Sequence, residues 1–176
     1  MGEVITWTGA VSASWNQPGN WQTEEGKARV PTETDVIVIP AGTPNAPALG
    51  EALTVATLTV ETGATLDLAT YDLTVTGTLT VNGSMLARKA ETIELCGDVT
   101  FAANAFACAR STIVLTGADD KTADFGGNVL WDIRFARDGT TTTVTGGFTA
   151  AELAFEAGAK VSFAQDAACV ATTMGI

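Results

Sequence analysis

From Leu58 onward, apolar residues alternating with threonine recur at a step too short for hairpins. The strand centres Leu58, Leu66, Leu73, Leu79, Leu86, Ile93, Val99, Phe106 and Ile113 are separated by 8, 7, 6, 7, 7, 6, 7 and 7 residues. Three consecutive steps therefore sum to 20 or 21. Sandwiches and barrels place strands roughly 8–12 residues apart, joined by hairpin turns. Steps this short leave room only for a brief strand and a tight corner. That suits a solenoid whose coils have three short faces, each strand pairing with one about twenty residues later. The reading is therefore all-β, a parallel β-helix (solenoid) of three-strand coils, with a β-sandwich as the alternative.

The register is explicit enough to be wrong. A coil of about twenty residues stacks Leu58 on Leu79 and Val99, Leu66 on Leu86 and Phe106, and Leu73 on Ile93 and Ile113. All nine positions are apolar, as the inside of a coil requires. Beyond Ile113 the spacing is expected to loosen, where Gly126-Gly127, Asp138-Gly139 and Gly146-Gly147 lengthen the corners. The coils are expected to reach Cys169, about six in all, making a body on the order of 30 Å long. No stretch carries a sustained 3.6-residue apolar stripe, so almost no helix is expected.

Residues 1–50 read differently. They hold Trp7, Trp15 and Trp21 and all five prolines. Proline lacks a ladder donor, and indoles bury much area in few residues. This segment is expected to be an irregular, aromatic cap, with residues 51–176 forming one continuous run of coils.

Composition supports that picture and removes function classes. The chain has 176 residues, 29 Thr and 18 Gly, and no His. Thr and Gly are what short strands and tight corners consume. Without His there is no Ser-His-Asp or Cys-His pair and no imidazole zinc site. The net charge is −11, so a nucleic-acid partner is not expected. No apolar run approaches ~20 residues, so no membrane-spanning helix is expected. The N-terminal Met1-Gly2-Glu3-Val4 has neither a charged n-region nor an apolar h-region, so any export signal is expected to lie outside this sequence. Cys96, Cys108 and Cys169 read as small apolar residues. A Cys96 to Cys108 bridge is the alternative, which spacing alone does not decide.

Four groups of residues are candidate sites. Trp7, Trp15 and Trp21 are candidate ligand-binding residues, a flat platform for sugar rings; the ordinary reading is that they close the end of the coil, as a solenoid requires. Asn16 and Asn20 then close turns. Asp119, Asp120 and Asp124, or Asp35 with Glu33, are acidic clusters that read as solvated loops because they match no calcium-loop spacing. Asp67, Arg88, Lys89 and Arg110 are the best set that stacking offers for polysaccharide cleavage, Arg88 and Arg110 being 22 residues apart, close to one coil. Thr-x-Thr pairs such as Thr57/Thr59 and Thr78/Thr80 match an ice-binding array only if repeated on one face in successive coils. No catalytic residue, metal ligand or cofactor is assigned.

The string Trp7-Thr8-Gly9, Trp15-Asn16, Gly19-Asn20-Trp21, Pro31 and Asp35-Val36-Ile37-Val38-Ile39-Pro40, followed by the Leu-Thr-Val repeats of 56–81, resembles the β-helical repeat regions of large bacterial surface and secreted adhesin-like (autotransporter-passenger-like) proteins. The later segment 124–135 is similar to the junctions between their repeats. The resemblance is tightest over 5–85 and weak beyond Phe135. It implies a right-handed parallel β-helix from an exported multidomain protein, secreted or on the cell surface. The expected function is a non-enzymatic structural or adhesive module. The alternatives are a carbohydrate-binding module or a polysaccharide-degrading β-helix enzyme. Expected partners are carbohydrate, another surface protein and neighbouring domains of a longer chain.

Overall fold

The alternation of small outward and large inward residues is realised as three stacks of short parallel strands. The computed structural model describes residues 2–136 and 139–175; Asp138, expected to lengthen a corner, lies outside them. The chain is all-β, 50% strand and 2% helix, and its strands stack as a β-solenoid of about 7 turns. At ~4.8 Å per stacked strand this is a body about 34 Å long.

On the first face one column runs through eight rungs, buried from Ile5 through Ile37, Leu58, Leu79, Val99, Ala123 and Val144 and ending at the exposed Phe163. On the second face the column is Leu53, Leu73, Ile93, Ile113, Ile133, Leu153 and Met174. The third face is shorter, with strands Thr65–Asp67, Ser84–Leu86 and Phe106–Ala107. Leu58 pairs with Leu79 on one sheet, so the sandwich alternative does not apply.

Three expectations need correction. Leu66 stacks on Met85, not Leu86, and Met85 stacks on Phe106. Met85 is fully buried, while Leu86 is half-buried beside Asp67 and Ala107. The strand Ser84–Leu86 is only three residues long, and alternation leaves just its middle residue facing inward. Second, the second face keeps a spacing of 20 from Leu53 through Leu153 and 21 to Met174, so the period does not loosen there. The slip is on the first face, where Val99 pairs with Ala123. Strand Lys121–Phe135 crosses from the first face to the second as one 15-residue element, bent where Gly126 and Gly127 adopt φ of +57° and +73°. Third, the coils continue through Gly175, one turn beyond the expected count.

The segment before residue 51 is more than a cap. Val4–Trp7 and Val36–Ile39 are rungs of the same sheet, which crosses residue 50 without interruption. The exception to parallel pairing is Trp21–Thr23, which lies antiparallel to Val4–Trp7 at the outermost edge. A single three-residue 3₁₀ turn, Pro18–Asn20, leads into it.

Corners are as periodic as strands. Gly77, Gly97 and Gly117 recur every 20 residues, and a Cβ on each would run into backbone of the coil beneath: the carbonyls of Ala56, Gly77 and Cys96 respectively. Aspartates also tie coil to coil. The Thr92 backbone N–H donates to Asp72 at 2.7 Å, Thr122 to Asp98 at 2.8 Å and Thr141 to Asp120 at 2.6 Å. These three carboxylates accept the amide of the strand one turn later, so they close inter-coil hydrogen bonds.

Candidate functional site

At the N-terminal end, the three predicted tryptophans come together but face inward. Trp7, Trp15 and Trp21 are at most 2% exposed. Trp21 packs edge to face on Trp7 at 4.8 Å and on Trp15 at 4.6 Å between ring centroids. Its Nε1 donates to the Trp15 carbonyl at 2.7 Å, and Trp7 Nε1 donates to the Asn45 carbonyl at 2.7 Å. Sugar stacking needs an open ring face, and none of these three offers one. The geometry is that of a plug over the end of the core. Asn20, fully buried, holds the plug: its Oδ1 accepts the Val11 and Ser12 amides and its Nδ2 donates to the Ser14 carbonyl. Asn16 instead lies at the surface and donates to Glu51.

Within the acidic clusters Asp35, Asp120 and Asp124 each have hydrogen-bond partners. Asp35, 2% exposed, accepts two hydrogen bonds from Arg29 and others from the Thr32 amide, the Thr32 hydroxyl and the Glu3 amide. The Arg29 guanidinium holds the Asp35 carboxyl far below the usual carboxylate range, and the carboxylate raises Arg29 in return. Asp120 accepts the Thr141 amide and Asp124 the Gly126 amide. Among the described residues, no three His, Cys, Asp or Glu are placed to hold a metal ion.

The third predicted set does converge. Arg88 grips Asp67 with two nitrogens, Nε at 3.0 Å from Oδ1 and Nη2 at 2.7 Å from Oδ2, which lowers the Asp67 carboxyl and raises Arg88. Directly beside this pair, Arg88, Lys89, Ala90, Ala109, Arg110 and Trp131 line an open groove of about 630 Å³. The Arg110 guanidinium lies 5.6 Å from the centroid of the Trp131 ring, which is 40% exposed. Trp131 was visible in the sequence only as part of a junction-like segment. The signal that finds it is spacing: Lys89, Arg110 and Trp131 are each 21 residues apart, one coil per step.

The remaining candidates are structural. Thr59, Thr80 and Thr100 form an outward column, but Val38 and Asp124 bound it, so the threonine array is only three rungs deep. Cys96, Cys108 and Cys169 are free and half-buried, and burial pushes each thiol up.

A family described only as a domain of unknown function (DUF8693) matches residues 6–93, half of the chain. The chain belongs to the DUF8693 family. The matched part of this DUF8693 protein takes in the tryptophan plug, the Arg29–Asp35 pair and the Asp67–Arg88 pair, while Arg110 and Trp131 lie beyond it. No curated protein and no solved structure matches the chain. No helix among the described residues is long and apolar enough to cross a membrane.

Proposed function

We propose that this DUF8693 protein is a non-enzymatic structural module, a stiff spacer or adhesive scaffold that works on the surface of the bacterium exporting it. The observation that carries the reading is the unbroken column of eight rungs from Ile5 to Phe163, buried through Val144 and plugged at its first end by tryptophan. Each coil buries its apolar face only against its neighbours, so the unit is a rod whose length grows by one strand spacing per turn. The resemblance of 5–85 to the repeats of exported adhesin-like proteins supports the surface placement.

The charged pair beside the groove, Asp67 with Arg88, has its geometry occupied by mutual hydrogen bonds. Two measurements test the reading. Protease shaving of intact cells should release the module from the full-length protein, and purified protein should leave polysaccharides uncleaved. Cleavage of a glycosidic bond that disappears in Asp67→Ala or Arg88→Ala overturns the structural role, and protection from shaving overturns the location.

A further inference from the structure

We propose that the groove of Lys89, Arg110 and Trp131 is a binding site for an acidic oligosaccharide, a short sugar chain carrying about one carboxylate per ring. Lys89 and Arg110 lie in successive corners, the Arg110 amide donating to the Lys89 carbonyl at 2.8 Å, and Trp131 stands beside them in strand Lys121–Phe135, in the next coil. The groove therefore runs along the rod, one functional side chain per strand spacing. Its volume of about 630 Å³ falls in the range of small-ligand sites.

Its chemistry is unlike the rest of the molecule. In a chain of net charge −11, Lys89 and Arg110 have no carboxylate partner among the described residues, whereas Arg88 beside them is held by Asp67. Trp131 is exposed while the other three tryptophans are buried in the plug. Ala109, in the groove wall, sits at a φ of +43°, a conformation that a residue with a side chain adopts at a cost.

An exposed indole offers a flat apolar face to the C–H face of a sugar ring, and a guanidinium offers forked donors to a carboxylate. Together they select a ring bearing a carboxylate. A nucleic acid fits less well. Single strands are held by basic grooves that track many phosphates, and this groove offers two unpaired cations, Lys89 and Arg110. This site is independent of the rod's location, since it needs only the folded coils.

The test is titration of the full chain with trigalacturonate by calorimetry, with maltotriose, an oligothymidylate and a poly-glutamate peptide as comparisons. Saturable binding to trigalacturonate is expected, weakened by added salt and lost in Trp131→Ala. Lys89→Gln/Arg110→Gln should weaken it by about tenfold or more. The three side chains are exposed, so thermal midpoints should stay near the parent's, and circular dichroism on each variant shows that the coils persist. The proposal is overturned by absence of saturable trigalacturonate binding, by equal binding of maltotriose, by tighter binding of either the oligothymidylate or the peptide, or by folded variants that bind like the parent.

Discussion

Asp35 accepts both terminal nitrogens of Arg29, at 2.6 and 2.9 Å, while Arg29 also reaches Glu3 at 2.9 Å. The pair ties the loop before Val36–Ile39 to the chain start, next to the tryptophan plug. Asp35 is the buried partner and Arg29 is one-third exposed. Removing the carboxylate leaves the guanidinium with Glu3 alone.

Asp35→Asn is expected to destabilise the fold by about 2 kcal/mol at neutral pH, the scale of losing charged hydrogen bonds to a buried carboxylate. The folded carboxyl titrates far below its ordinary value, so its contribution is complete above the unfolded value near ~3.9 and is lost as pH falls toward the folded value. The gap between parent and variant should therefore be widest near pH 7 and close steadily below about pH 4. Urea titrations across that range check it; a gap that widens on acidification contradicts the assignment.

The two inner indoles of the plug should respond differently to loss of their N–H. Trp21 Nε1 donates to the Trp15 carbonyl, whereas Trp15 Nε1 is buried with no hydrogen-bond partner among the described residues. Both lose ring area on change to Phe, but only Trp21→Phe strands a partner. Trp21→Phe is expected to cost about 1–2 kcal/mol more than Trp15→Phe, the penalty of an unsatisfied buried acceptor. Chemical denaturation of the two variants side by side measures the difference.

On the second face, Asp132 and Glu152 are direct cross-strand partners in adjacent coils. Partial burial and then the Glu152 charge raise the Asp132 carboxyl above its ordinary value, partly offset by Arg134 and a hydrogen bond from Thr112. A carboxyl raised in the fold opposes folding when ionised, and that opposition is relieved as pH falls through its folded value. Asp132→Asn should thus stabilise the protein by roughly 0.2–1 kcal/mol at pH 7, the scale of a like-charge cross-strand pair. The gain should vanish in acid. Thermal midpoints at the two pH values decide it.

How far the sequence could be read depended on strand length. Columns such as Leu58, Leu79, Val99 and Leu73, Ile93, Ile113 were legible because their strands alternate aliphatic residues with threonine or glutamate. Alternation then leaves one answer for which side chain points in. The first two rungs, Ile5 and Ile37, were hidden because 32 residues separate them, a length that carries no coil period. Trp131 was hidden for a different reason: it is an outward, exposed aromatic in a long strand, where the apolar alternation marks only inward positions, and its spacing from Arg110 and Lys89 is what announces it. Asp35 looked like a loop acid because its partner, Arg29, reaches it through side-chain geometry that no periodicity encodes.

The third face shows the limit of period reasoning and supplies its sharpest check. Both Met85 and Leu86 are apolar, so composition alone does not choose between them, and a slip of one residue turns a strand inside out. The structure places Met85 between Leu66 and Phe106 in the core and Leu86 in the outer row with Asp67 and Ala107. Met85→Ala should therefore cost about 3 kcal/mol, the scale of truncating a buried side chain of this size. Leu86→Ala should cost less than about 1 kcal/mol, because a half-buried side chain leaves no enclosed cavity. Equilibrium urea denaturation of the two single variants separates the registers. Equal costs, or a larger cost at Leu86, would put Leu86 in the core and shift the third face by one residue.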